Sequence, residues 1–225
     1  MLLTLAEVLD SQTLTDTRNS LKTLTWRDGG TTAGGRAKKA KKNEQADLRS
    51  GKGAKLHDAL MAILKAHPVV QAAARPKRFS RLLISKTETA GGYGFHTDNA
   101  IMGPAGSRLR SDISFTLFLS QPDEYEGGEL TIDLPGAVQS LKPAAGDMVL
   151  YPSSSIHQVA PVTSGTRLAC VGWIESMVRD PSQRELLFDL ENLRAELVGK
   201  LPGQSAELLT LDKSISNLLR MWAEV

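Results

Sequence analysis

The chain has 225 residues, of which 41% are hydrophobic, 23% are charged and one is cysteine, with a formal net charge of +2. That length supports one well-buried domain with attached helices, a lone cysteine excludes an internal disulfide and the cysteine spacings of structural zinc, and so small a net charge gives no ground for a nucleic-acid binder. The opening Met1-Leu2-Leu3-Thr4-Leu5-Ala6-Glu7 carries no basic leader and no run approaches the roughly 20 apolar residues of a membrane span, so a cytoplasmic protein without a membrane partner is expected.

Asp10 or Ser11 is placed to cap a helix reaching about residue 24, with Leu14, Leu21 and Leu24 among its apolar positions. Residues 28–35, rich in glycine and threonine, read as a loop. The basic cluster Arg36, Lys38, Lys39, Lys41 and Lys42 lacks interleaved aromatics and reads as a solvated face rather than a patch for nucleic acid or an anionic substrate. A second helix is predicted over 54–66, where Leu56, Leu60, Ile63 and Leu64 recur at three- and four-residue steps before Pro68. Residues 1–78 are thus expected to form an N-terminal helical support region.

From residue 79 to 176 the pattern changes to short β-rich runs at 82–85, 113–119, 130–134, 148–151 and 168–174. Turn signals such as Gly91-Gly92, Gly127-Gly128, Pro135-Gly136, Gly146-Asp147 and Ser164-Gly165 separate them, and no helical period intervenes. An antiparallel sandwich or barrel follows. Residues 177–225 return to helix, with Pro181-Ser182 and Glu185 resembling a capping box and Leu186, Leu190, Leu193 and Leu197 forming a stripe. A last helix carries Leu208, Leu211, Ile215, Leu218, Leu219 and Trp222. These stripes are read as cover for the β core, with a homodimer interface as their alternative use. The fold class is α+β, a β core flanked by N- and C-terminal helices.

Within the β region, His96 and Asp98 stand two residues apart, so on an extended segment both project from one side. His157 from a distant strand completes two imidazoles and a carboxylate, a set that binds one face of a ferrous ion and leaves three positions open. His57 and His67 have no such partner and are read as surface or core residues. Arg167 follows the Ser164-Gly165 turn on an apolar strand, where an inward guanidinium requires an anion and planar pairing favours a carboxylate. A zinc hydrolase would use the same three ligands but leaves Arg167 unexplained.

The constellation His96-x-Asp98, His157 and Arg167 resembles that of the iron(II)- and 2-oxoglutarate-dependent dioxygenases of the prolyl/lysyl-hydroxylase-like group, in particular the bacterial PKHD-type hydroxylases. The resemblance runs through nearly the whole chain, from Trp26-Arg-Asp-Gly29 and Lys42-Asn-Glu-Gln45 through Tyr93-Gly-Phe-His-Thr-Asp-Asn-Ala100, Leu109-Arg-Ser-Asp-Ile-Ser-Phe-Thr116 and Tyr125-Glu-Gly-Gly-Glu-Leu130 to Asn217-Leu-Leu-Arg-Met-Trp222. It implies a double-stranded β-helix, or jelly roll, as the dioxygenase core over 79–176, with 177–225 as a helical extension. It also implies that His96, Asp98 and His157 hold Fe(II), that 2-oxoglutarate places its far carboxylate on Arg167, that O2 takes the remaining position, and that L-ascorbate keeps the iron reduced. Hydroxylation of a peptide or small-molecule substrate, with decarboxylation of 2-oxoglutarate to succinate, is the implied reaction. The alternative is a non-catalytic sensor of iron, oxygen or 2-oxoglutarate using the same pocket. Where many relatives carry Asn-Arg-Tyr this chain reads Ser85-Lys86-Thr87, so Thr87 stands in place of a tyrosine hydroxyl at the cosubstrate.

Overall fold

The computed structural model describes residues 1–32, 41–49 and 51–225; Arg36, Lys38 and Lys39 of the basic cluster, and part of the predicted loop at 28–35, lie outside them. The N-terminal region contributes β1 (Leu3–Leu5), α1 (Ser11–Leu21), β2 (Trp26–Asp28), β3 (Lys41–Lys42), β4 (Glu44–Ala46), α2 (Gly51–Ala66), α3 (Pro68–Ala74) and the start of β5 (Pro76–Phe79). Then follow β6 (Leu83–Glu88), β7 (Gly92–His96), a hairpin of β8 (Ile101–Met102) and β9 (Leu109–Arg110), β10 (Ile113–Phe118), β11 (Tyr125–Gly127), β12 (Leu130–Leu134), β13 (Ala137–Leu141), β14 (Met148–Pro152), β15 (Ile156–Val159) and the long β16 (Val162–Ser176). Two helices, α4 (Pro181–Val198) and α5 (Ala206–Trp222), close the chain.

The strands form two antiparallel sheets, the expected jelly roll. The major sheet runs β1-β14-β10-β16-β6-β4-β2, with β5 and β11 also paired to β16, and the minor sheet runs β13-β12-β15-β7-β3. The first 78 residues therefore supply strands as well as helices. These strands are two to four residues long, too short to show a period, and pairing with neighbours fixes them rather than local propensity.

One face of the major sheet packs under the N-terminal helices. Leu56, Leu60 and Leu64 of α2 and Val70, Ala73 and Ala74 of α3 join Ile84, Phe115, Leu117, Met148, Cys170 and Ile174 in a single buried cluster. The other face meets the minor sheet through a smaller cluster of Phe118, Leu130, Ile132, Val149 and Tyr151. With both faces covered, all six residues of β10 are buried, the polar Ser114 and Thr116 included.

Asp10 caps α1 as expected, accepting from the Thr13 N–H at 2.7 Å. Pro68 opens a further helix, a position where its missing N–H costs nothing. At α4 the cap is Asp180 rather than Ser182: its carboxylate accepts from Ser182 N and Gln183 N at 2.8 and 3.0 Å, with Pro181 at the first helical position. The C-terminal helices pack chiefly on one another, through Val178, Leu187 and Ile215 with Leu211, Leu218 and Trp222, rather than over the β core; Phe188 alone of the α4 side chains reaches the main cluster. The ion pair Arg75 to Glu191, at 2.7 Å, ties α4 to the end of α3. No described helix is long and apolar enough to cross a membrane.

Candidate metal and cosubstrate site

The minor sheet brings the two distant histidines side by side, because β15 pairs with β7 in a register that sets His157 opposite His96. Strand β7 ends at His96, so Asp98 lies on the segment beyond it rather than on the strand itself. The carboxylate nevertheless returns to the imidazoles, with Asp98 Oδ1 4.0 Å from His96 Nε2 and Oδ2 3.6 Å from His157 Nε2. One donor atom from each residue lies within 4.8 Å of the others.

Second contacts fix how these groups present themselves. His96 Nδ1 donates to the Gly94 carbonyl at 2.8 Å and His157 Nδ1 donates to the Ser155 carbonyl at 3.0 Å. A carbonyl accepts only, so Nδ1 of each ring carries a proton and Nε2, the nitrogen turned toward the carboxylate, is the one available to a metal. Asp98 Oδ2 accepts from Ser114 Oγ at 2.6 Å, and Ser114 Oγ lies 2.8 Å from Ser153 Oγ. Tyr93 stacks on His96 at 3.6 Å between centroids, and Tyr151 meets His157 edge-on at 5.0 Å. Burial, reinforced by the neighbouring His157, holds the His96 pKa well below its ordinary value, so that ring is neutral. A harder anionic oxygen with two imidazole nitrogens suits a borderline divalent ion such as Fe(II). His57 instead faces Asp58 at 2.9 Å, and His67 caps α3, accepting from Val70 N.

Arg167 lies deeper in the same cavity, on β16, with only 2% of its surface exposed. Its guanidinium lies over the Phe118 ring at 5.1 Å, and its Nε and Nη2 have no hydrogen-bond acceptor among the described residues. Burial lowers its pKa, opposed by the hydroxyl-bearing rings of Tyr125 and Tyr151. The Tyr125 hydroxyl is itself buried without a partner. Gly128, at φ +67°, lets the chain pass this pair: a Cβ there would stand 2.9 Å from the Tyr125 ring and 3.0 Å from Arg167 Cδ. Thr87 sits directly across from Arg167 on β6 and is buried. Unpaired N–H groups around a full charge are costly, and a carboxylate satisfies them.

The triad, Arg167 and Thr87 line one cavity of about 450 Å³. Reading the sequence alone assigned no role to Ser114, Ser153, Tyr93, Tyr151 or Tyr125. The signal was present in the even spacing of Ser114 and Thr116 on β10 and of Arg167, Val171 and Trp173 on β16, which puts each set on the cavity face. Burial on the opposite face as well, at Phe115 and Cys170, hid that alternation. Lys41, one of the two described members of the basic cluster, is also in the lining, with Nζ 5.2 Å from the Tyr93 ring centre. Burial pushes its pKa down to about 8, so it is not the solvated side chain expected.

Residues 82–175 match the 2OG-Fe(II) oxygenase superfamily, and residues 182–224 match the PKHD-type hydroxylase C-terminal domain. The chain is 47% identical over 224 residues to a PKHD-type hydroxylase of Hyphomonas neptunium and 45% identical to one of Acaryochloris marina, with 100% of both chains covered in each case. Among solved structures it resembles a prolyl hydroxylase from Trichoplax adhaerens in complex with a hypoxia inducible factor oxygen degradation domain peptide fragment, at TM-score 0.54 and 15% identity over 82% of this chain and 86% of that one. HygX from Streptomyces hygroscopicus, with nickel and 2-oxoglutarate bound, aligns at TM-score 0.55 and 13% identity over 78% and 82% of the two chains. At those identities the structural likeness speaks for the jelly-roll fold. Full-length identity to the curated relatives, together with the two domain matches, makes the chain a member of the PKHD-type hydroxylase family within the 2OG-Fe(II) oxygenases.

Proposed function

We propose that this chain is an Fe(II)- and 2-oxoglutarate-dependent hydroxylase in which His96, Asp98 and His157 hold the metal and Arg167 holds the far carboxylate of 2-oxoglutarate. The observation that carries the assignment is the placing of three metal-type donor atoms within 4.8 Å of one another in the same cavity as a buried guanidinium with two unpaired N–H groups. When bound, iron and cosubstrate supply the oxidising chemistry, in which O2 converts 2-oxoglutarate to succinate and CO2 and a substrate C–H becomes C–OH. The chain's part is to bind and orient. Ser114 holds Asp98 by a hydrogen bond, the Gly94 and Ser155 carbonyls keep both imidazoles in the ligating tautomer, and Arg167 fixes the cosubstrate's far end. Thr87, opposite Arg167, offers its hydroxyl to the cosubstrate where relatives carry tyrosine. The apolar rings of Phe118, Tyr93 and Tyr151 limit water around the metal and cosubstrate. L-ascorbate serves as the reductant that maintains Fe(II), and the one cysteine, buried Cys170, suits a reducing cytoplasm.

The test is succinate release from 2-oxoglutarate by purified protein supplied with Fe(II), ascorbate and air. Wild type forms succinate, and Asp98→Ala, which loses the only anionic ligand, forms none and binds Mn(II) weakly in a calorimeter. Normal turnover by Asp98→Ala would remove it from the ligand set.

A further inference from the structure

A second, larger recess of about 930 Å³ adjoins the metal cavity, and the two share Leu83, Met102, Gly103 and Trp173 as common wall. Its lining carries four basic side chains, Lys65, Lys77, Arg78 and Arg81, and no acidic one. Arg78 is paired with Glu175, and Arg81 donates to the Leu48 carbonyl at 3.2 Å. Lys65 and Lys77 are exposed and have no acidic partner among the described residues. One side of the recess is a continuous stretch of chain: every residue from Pro76 to Arg81 contributes, and β5 pairs with β16 along one edge and with no described strand along the other. At the junction with the metal cavity the Trp173 indole Nε1 is buried and lacks an acceptor.

We infer that this groove binds an acidic, extended peptide segment and delivers one of its residues to the metal cavity. The inference rests on the hydroxylase reading for what happens to that residue, and on the groove alone for the binding. Its charge sets the sign of the ligand. An unpaired strand edge recognises main chain, which a peptide supplies and a small anion does not. Volume agrees, since the groove is about twice the size of the about 450 Å³ cavity that must also hold the cosubstrate. The unpaired indole N–H is placed to donate to a peptide carbonyl at the point of entry.

The experiment is fluorescence anisotropy with the full chain and three labelled probes of equal length: a peptide of alternating glutamate and alanine, the same peptide with lysine for glutamate, and oligothymidylate. The acidic peptide is expected to bind best, to weaken as salt is raised, and to lose about tenfold in affinity on the double substitution Lys65→Glu with Lys77→Glu. Both positions are exposed, and an unchanged circular dichroism spectrum checks that the variant is folded. Trp173→Phe, which keeps a ring and removes the donor, weakens the acidic peptide several-fold. Equal affinity of the double variant for that peptide, no binding of it to wild type, or a preference for oligothymidylate overturns the proposal. Binding needs no turnover, so the two readings fail separately: succinate formation without peptide binding removes the groove alone, and peptide binding by a protein that never forms succinate removes the hydroxylase alone.

Discussion

Arg167 carries a positive charge into a site that is 2% exposed and leaves two of its donors unpaired. Such a residue destabilises the ligand-free fold and is repaid on binding, by about 1–3 kcal/mol for each satisfied group. Replacing it with methionine, of similar reach and no charge, therefore separates stability from function. Arg167→Met is expected to raise the ligand-free melting temperature while weakening 2-oxoglutarate by about 2 kcal/mol or more, roughly thirtyfold. Calorimetry of the apoprotein and a 2-oxoglutarate titration read the two effects, and unchanged affinity would place the cosubstrate elsewhere. Cys170 is the contrasting buried group. Burial alone pushes its thiol up to about 12 from an ordinary 9.0. Between those values the folded chain keeps a proton that the unfolded chain releases, so its contribution to stability is intact below pH 9 and falls as pH rises above it, by up to about 1.4 kcal/mol per pH unit. Urea melts at successive alkaline pH values should show a shallower decline for Cys170→Ala than for wild type.

Among the elements, α2 was legible because Leu56, Leu60 and Leu64 repeat on one face and are buried as a stripe. Leu60→Ala, at 1% exposure beneath the sheet, is expected to cost about 2–5 kcal/mol, read as a lower urea midpoint with an unchanged slope. The central strands were legible from β-branched and aromatic content. Others were not, each for a local reason. In β7, glycines and aromatics mask the alternation that turns His96 inward, and β13 is exposed over four of its five residues and so shows no buried face. His96, Asp98, His157 and Arg167, which the fold gathers in one cavity, stood out by residue type and spacing, and their proposed roles come from family resemblance. What spacing does not contain is register: which residue faces His96 depends on β15 meeting β7 across more than sixty positions of chain.

At the scale of the molecule, the C-terminal helices have a source of cohesion apart from that of the β core. The jelly roll and N-terminal helices share one large cluster, while α4 and α5 close around their own small core of Val178, Leu187 and Ile215. Polar ties join the two, among them Arg75 to Glu191 and Arg110 to Glu224 at 3.1 Å. Fewer shared apolar contacts mean a lower local opening free energy. Native-state hydrogen exchange should therefore show amides of residues 181–222 exchanging before those of β10, β14 and the middle of β16; simultaneous exchange would mean one cooperative unit.

The long β16 gives the molecule a fixed measure. Arg167 and Trp173 project from the same side of one continuous strand, and at about 3.3 Å per residue their anchor points are about 20 Å apart. A cosubstrate held at Arg167 and a guest admitted beside Trp173 would be spaced by covalent geometry, with no hinge between them. Which carbon of such a guest came within reach of the metal would then be decided by a ruler whose graduations are peptide units, and adding a single graduation would turn the indole to the opposite side.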